Sequence, residues 1–199
     1  ALLGAIPLRI SIGAMPFMLP LLMQTGFGLS ALQSGFITLA GAIGALGSRT
    51  TLSALLDRVG FRTLLISAAA GTAACCLGYA MFSAQTPKAL MFAVMLLGGV
   101  FNSTAMVALN SLAYSDVPRT ETSHATTAAT LVHQLSLMFG VALGAALLAF
   151  AGTWRAGPGA TLQAQDFPLA FGVMSLLVGT TILSLRRLRR EDGSAMRSR

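Results

Sequence analysis

The sequence predicts an all-α integral membrane protein with six transmembrane helices. Of its 199 residues, 55% are hydrophobic and only 10% are charged, whereas a soluble domain carries about 25% charged residues. The apolar residues fall into six stretches, each close to the roughly 20 residues that a helix needs to cross a bilayer. A soluble chain of this composition would expose large apolar patches, so we predict that lipid surrounds it.

One helix is predicted in each apolar stretch. The predicted helices cover residues 2–24, 31–55, 63–82, 89–112, 123–150 and 167–185. The chain opens directly in the first of these stretches without a Met or a basic leader, which suggests that it is not a natural beginning.

The first helix contains Arg9, Pro16 and Pro20. Only 14 apolar residues follow Arg9 without interruption, too few to span alone, so the helix must include this arginine. Arg9 either extends its side chain to the membrane surface or supplies a cation to a substrate cavity, and we keep it among the cavity candidates. The prolines predict a kink that neighbouring helices cover.

Helices two to four combine small and polar residues. Gly41 and Gly44 recur at helical spacing, which favours close helix packing. The two cysteines are adjacent in the third helix, so they cannot cross-link usefully and are expected to act as small packing residues. In the fourth helix Asn102 is deep in the membrane and needs partners, so it is a candidate cavity residue.

The fifth helix is the most informative. A polar stripe on one face of this helix consists of Ser123, Thr127, Thr130 and Gln134, at spacings of four, three and four residues. His133 flanks this stripe. His133 follows Ser123 by ten residues, which predicts a depth of about 15 Å, near the middle of the membrane. Polar residues at this depth usually face a bundle interior or an aqueous cavity, so Thr130, His133 and Gln134 are predicted to line a substrate cavity. The alternative is hydrogen bonding between helices without a ligand. Gly140 and Gly144 form a GxxxG pattern that predicts close helix packing.

Charge is unevenly distributed between the connectors. The net charge is +7, with 13 basic and 6 acidic residues. Nine arginines fall in the connectors after helices two and four and in the tail, against Lys88 and Arg155 on the other side. By the positive-inside rule, both termini of this segment are cytoplasmic. We therefore divide the chain into a six-helix membrane domain, 1–186, and a basic cytoplasmic tail, 187–199. Topology explains the charge better than nucleic-acid binding does.

No enzyme motif is present. The sequence lacks GxSxG, HExxH and Walker A patterns, and its six acids all fall in connectors, at helix ends or in the tail. His133 and Ser136 could be imagined as a hydrolase pair, but only their residue types support it. We expect no catalytic residue, metal site or cofactor.

Several segments resemble the carboxy-terminal half of a major facilitator superfamily transporter. These are PFMLPLLMQTGFGLSALQSGF with LLDRVGFR, and LNSLAYSDVP with TLVHQLSLMFGVALGAALL. The nearest resemblance is to the fourteen-helix drug:proton antiporters of the EmrB/QacA type. The family loop motif G-x-x-x-D-R-x-G-[RK]-[RK] is matched by Asp57, Arg58, Gly60 and Arg62, while Ser53 replaces the first glycine.

The resemblance implies half of a major facilitator fold, built from two three-helix units with substrate binding where two halves meet. It implies that Asp57, Arg58, Gly60 and Arg62 belong to a cytoplasmic gate loop. The partners it implies are the bilayer, the amino-terminal half of the same transporter, a small-molecule substrate and protons. The expected function is efflux of amphipathic compounds or drugs across the cell's plasma or inner membrane. A sugar or metabolite facilitator and a non-transporting membrane protein are the alternatives, and no convincing internal sequence repeat is visible.

Overall fold

The computed structural model describes residues 6–59, 61–115 and 122–186, with side chains described for 6–48, 63–109 and 130–184. Over this part of the chain six α-helices are long and apolar enough to cross a membrane. They are α1 (Ile6–Leu21), α2 (Ala31–Val59), α3 (Phe61–Ala80), α4 (Lys88–Ser115), α5 (Thr122–Ala156) and α6 (Phe167–Arg186). The six-helix prediction is confirmed, whereas the predicted tail 187–199 lies outside the described residues.

The helices α1 and α5 differ most from their predicted lengths. After Pro20, α1 gives way to one turn of π-helix, Leu22–Gly26. The fifth helix continues to Ala156, six residues beyond its predicted end. At 1.5 Å per residue α5 is about 52 Å long, far more than the roughly 30 Å hydrocarbon core. The described apolar part of α5 runs from Thr130 to Ala156, and the position of His133 near the middle of the membrane stays a prediction.

The six helices form two related groups of three, α1–α3 and α4–α6, which pack mainly against each other. The most extensive packing joins α1 to α5, α2 to α4, and α3 to α6. An exchange of α1 with α4, α2 with α5 and α3 with α6 relates these pairs to one another. It converts the α1/α5 pair into the α4/α2 pair and leaves the α3/α6 pair unchanged. The same exchange relates the α3/α4 packing to the α1/α6 packing. This internal twofold relationship is the arrangement expected of inverted three-helix repeats.

The α2/α4 crossing depends on three glycines. A Cβ atom added to Gly44 would collide with the backbone carbonyl oxygen of Leu96, and one added to Gly99 would collide with the carbonyl oxygen of Gly41. The backbones of α2 and α4 therefore touch directly, as small residues allow in membrane helix pairs. The hydroxyl of Ser103 donates a hydrogen bond to the carbonyl oxygen of Ala45 at 3.1 Å across the same crossing.

The α1/α5 crossing has the same construction. A Cβ added to Gly13 would lie 2.6 Å from the Leu137 Cα atom, and one added to Gly140 would collide with the carbonyl oxygen of Ile10. One turn later, a Cβ at Gly144 would lie 3.1 Å from the Met18 sulfur. No internal repeat was evident in the sequence, but the two symmetry-related crossings share one feature. Each has glycine on both helices where the backbones touch.

One end of the bundle carries the connections 27–30, 81–87 and 157–163, and we call it the loop end. At this end, the turn that follows α1 contacts the segment that precedes α6, because Gly26 packs against Ala164. The opposite end, where α2 is followed by α3 and α6 ends at Arg186, is the arginine-rich end. Serine hydroxyls also link α1 and α3 to α6, because Ser11 donates to the Met174 carbonyl oxygen and Ser175 donates to that of Ala73, both at 3.0 Å.

At the loop end, an ion pair fastens the last connection. The Arg155 Nε atom donates to Asp166 Oδ1 at 2.8 Å, and its Nη2 atom donates to Asp166 Oδ2 at 3.1 Å and to the Thr161 carbonyl oxygen at 2.8 Å. Asp166 is buried and also accepts from the Gln163 backbone N–H at 2.8 Å. Charged, bidentate pairs of this kind hold geometry well, so the end of α5 and the start of α6 are tied together.

Candidate functional site

A large cavity opens between the helices on one side of the bundle. Its volume is about 910 Å³, within the range of small-molecule sites in proteins. Its walls come from α1, α2, α3, α4 and α5, and the two glycine crossings lie in those walls, at Gly13 and at Gly41 with Gly99. The close α1/α5 and α2/α4 crossings therefore form two of the cavity walls.

The lining is mostly apolar and rich in sulfur. Five lining residues carry a sulfur atom, and they are Met15, Cys75, Cys76, Met95 and Met106. Flexible, polarizable thioethers fit irregular apolar surfaces. Among the described lining residues none is Asp, Glu, Lys or Arg.

The polar lining residues divide into two groups. In the first, the hydroxyl is already used: Thr38 donates to the Gly35 carbonyl oxygen, Thr72 to that of Ala68, and Ser103 to that of Ala45. In the second, the side chains of Tyr79, Asn102 and His133 have no hydrogen-bond partner among the described residues. Buried polar groups normally have one, so this second group is available to a ligand.

Two of the five predicted cavity residues lie in this lining. Asn102 contributes from α4 and His133 from α5. Thr130 and Gln134 are exposed on the surface of α5, and Arg9 is buried in the first turns of α1, where 3% of its surface is exposed. The three predicted cavity residues of α5 therefore do not share one environment. His133 lines the cavity, whereas Thr130 and Gln134 lie outside the lining. The Ser136 hydroxyl, once considered as a nucleophile, donates to the Val132 carbonyl oxygen at 2.7 Å.

The predicted gate loop lies outside what the structure describes. Gly60 is outside the described backbone, and the side chains of Asp57, Arg58 and Arg62 are outside the described side chains. Their role in a gate stays a prediction.

The contribution of α3 to the cavity was missed by the sequence reasoning. Cys75, Cys76 and Tyr79 lie in the lining, although the cysteines were expected only to pack. Tyr79 reaches the cavity because Gly98 on α4 has no side chain, and its hydroxyl occupies the place that a Cβ of residue 98 would take. The sequence carries no signal that pairs Tyr79 with Gly98, since the two residues lie on different helices.

Membrane-spanning helices in two related three-helix units, with a ligand-sized cavity between them, are the architecture of a membrane transport protein. The family model described as Major Facilitator Superfamily matches residues 1–197. The chain therefore belongs to the major facilitator superfamily of transporters and is a multi-pass membrane protein.

Similar proteins include those of Salmonella typhi, Salmonella newport and Salmonella agona that carry the name "Putative multidrug resistance protein MdtD". Each is 26% identical to this chain over 187 residues, which cover 94% of the chain and 40% of the relative. The chain thus spans about two-fifths of the length of these relatives. No solved structure matches the chain.

Proposed function

We propose that this chain forms one half of a transporter that exports small amphipathic compounds by alternating access. The carrying observation is the cavity of about 910 Å³, whose described lining is apolar, rich in sulfur and free of Asp, Glu, Lys and Arg. Such a surface binds apolar bodies with little demand on their shape. The printed name of the Salmonella relatives supports the same substrate class.

In this proposal the amino-terminal half of the same transporter supplies the facing wall of the cavity. The two halves rock about the substrate, as in transporters built from repeats. Export is coupled to protons, and because this half has no acid in its membrane interior, the coupling carboxylates belong to the other half. The protein works in the plasma or inner membrane.

The proposal is tested with inverted membrane vesicles that contain either the full-length transporter or this chain alone. We expect the full-length protein to accumulate a fluorescent amphipathic dye when the membrane is energised, and a protonophore to abolish that accumulation. This chain alone should give no flux above empty vesicles, because a single half has no opposing wall to close the cavity. Saturable flux through the chain alone, or none through the full-length protein, would contradict the proposal.

We also propose that both termini of this segment face the cytoplasm, so that the loop end faces outward. In a background with Cys75 and Cys76 replaced by alanine, Ser83→Cys and Thr161→Cys should react with an impermeant thiol reagent in intact cells. Ser194→Cys should react only after the cells are permeabilised. Both loop-end positions are exposed, whereas Gly157 nearby has a φ of +84° that a cysteine would strain. Labelling of Ser194→Cys in intact cells would reverse the topology.

A further inference from the structure

A small polar niche lies in the cavity wall between α3 and α4. The Tyr79 hydroxyl fills the space beside Gly98, and the Cβ of Cys75 is 3.7 Å from the point where a Cβ of residue 98 would sit. Asn102 follows Gly98 by one helical turn and lines the same cavity. Since Cβ positions four residues apart on a helix are about 5–6 Å apart, the Tyr79 hydroxyl and the Asn102 side chain lie in the same part of the cavity wall.

Neither polar group bordering this niche has a hydrogen-bond partner among the described residues. The Asn102 Oδ1 atom is buried and unpartnered, and no described group accepts from or donates to the Tyr79 hydroxyl. Leaving the buried Asn102 Oδ1 atom without a partner costs about 1–3 kcal/mol. The neighbouring hydroxyls of Thr72 and Ser103 avoid this cost by bonding to backbone carbonyls. The niche is therefore a place where a ligand gains by supplying the missing bonds.

The two groups define the chemistry of that ligand. A phenol donates a hydrogen bond, and the Asn102 Oδ1 atom accepts one. A ligand group placed between the two side chains can make two successive hydrogen bonds of about 2.8 Å, one with each of them. That group must accept from Tyr79 and donate to Asn102, as a hydroxyl or a secondary amide does. An ionised group finds no Asp, Glu, Lys or Arg among the described lining residues.

We infer that Tyr79 and Asn102 form a subsite for an uncharged hydroxyl or amide group carried on an apolar body. The subsite deepens the proposed function, since it rests on the cavity being a substrate cavity. It predicts preference for neutral amphipathic compounds over hydrocarbons of the same shape. Cys75, beside the same niche, provides a local reporter of occupancy.

The test measures how two neutral probes protect Cys75 from N-ethylmaleimide. It uses the full-length protein in liposomes with Cys76 replaced by serine, and mass spectrometry follows the adduct. We expect 1-naphthylmethanol to protect Cys75 at a concentration roughly fivefold to tenfold lower than 1-methylnaphthalene, since one hydrogen-bonding group separates them. Tyr79→Phe and Asn102→Leu should each remove this difference. Ser67→Ala, which removes a hydroxyl from α3 outside the cavity, should keep it.

The outcomes separate the subsite from the transport function. Equal protection by both probes, or a difference that survives both Tyr79→Phe and Asn102→Leu, overturns the subsite even if the protein exports dyes. A difference that both substitutions remove supports the subsite, and if dye export is then absent, only the proposed function fails. The shift in Tm that each probe causes gives the same comparison if Cys75 reacts too slowly to follow.

Discussion

Replacing Gly44 with alanine should lower the free energy of unfolding of the protein by about 1–3 kcal/mol, the usual cost of overpacking a tight contact. The new Cβ would collide with the Leu96 carbonyl oxygen and would come within 3.1 Å of the Val100 backbone nitrogen. Both neighbours are backbone atoms of α4, so they cannot rotate away as a flexible side chain would. The crossing of α2 and α4 must widen, and its packing weakens along several turns. The measurement is unfolding of the purified, intact protein in mild detergent, followed by circular dichroism.

Gly35 provides the matched control on the same helix. No heavy atom lies within 4 Å of a Cβ built there, so Gly35→Ala adds no clash. Alanine is also the better helix former, by about 1 kcal/mol or less in a helix interior. Gly35→Ala should therefore leave stability unchanged or raise it slightly. If the two substitutions have the same effect, the close backbone contact at Gly44 does not stabilise the fold.

The proposed export function predicts that replacing Ala42 with phenylalanine reduces export by the full-length protein roughly tenfold or more, equivalent to at least about 1.4 kcal/mol of lost transition-state stabilisation. Ala42 lines the cavity on α2, and a phenyl ring there occupies space that the substrate needs. The protein should still insert, because the substitution adds apolar surface to a membrane helix. Initial rates of dye export, normalised to the amount of transporter in the membrane, give the comparison.

Ile43→Phe is the control for this substitution. Ile43 is the next residue along α2, is 47% exposed and lies outside the cavity lining. The Ile43→Phe substitution therefore adds a similar ring on the outer surface of the same helix. Export by Ile43→Phe should stay close to that of the wild type. Equal loss in both variants would mean that the added ring disturbs α2 itself, and normal export by Ala42→Phe would exclude this cavity as the substrate route.

The six helices were predictable because hydropathy alone identifies segments that lipid must surround. Their ends were less predictable where polar residues belong to the helix. Thr153 and Arg155 were predicted to lie in a connector, yet both belong to α5. The arginine forms an ion pair with Asp166 on the other side of the connection, and this pair stabilises the last turn of the helix. That ion pair joins residues 11 positions apart, and no local sequence pattern predicts it.

The cavity was predictable only in part, for a similar reason. Helical periodicity shows that His133 and Gln134 share a region of α5, but it does not show which neighbour each one meets. The structure turns His133 into the cavity and leaves Gln134 exposed. The role of Gly98 in admitting Tyr79 depends on how α3 and α4 are juxtaposed. Such pairings across helices require the packed bundle, although Gly41, Gly44, Gly140 and Gly144 were predicted from the sequence to pack closely.

The last turn of α5 provides a built-in spectroscopic probe. Trp154 is the one tryptophan in the sequence, it is 83% exposed, and its ring centroid lies 6.0 Å from that of Phe150. Exposed indole rings near helix ends prefer the zone between lipid headgroups and acyl chains. Tryptophan fluorescence of this chain therefore originates from a single position, one residue from the arginine that fastens the loop end. Quenching by lipids brominated at different carbons would measure the depth of that position without any added label.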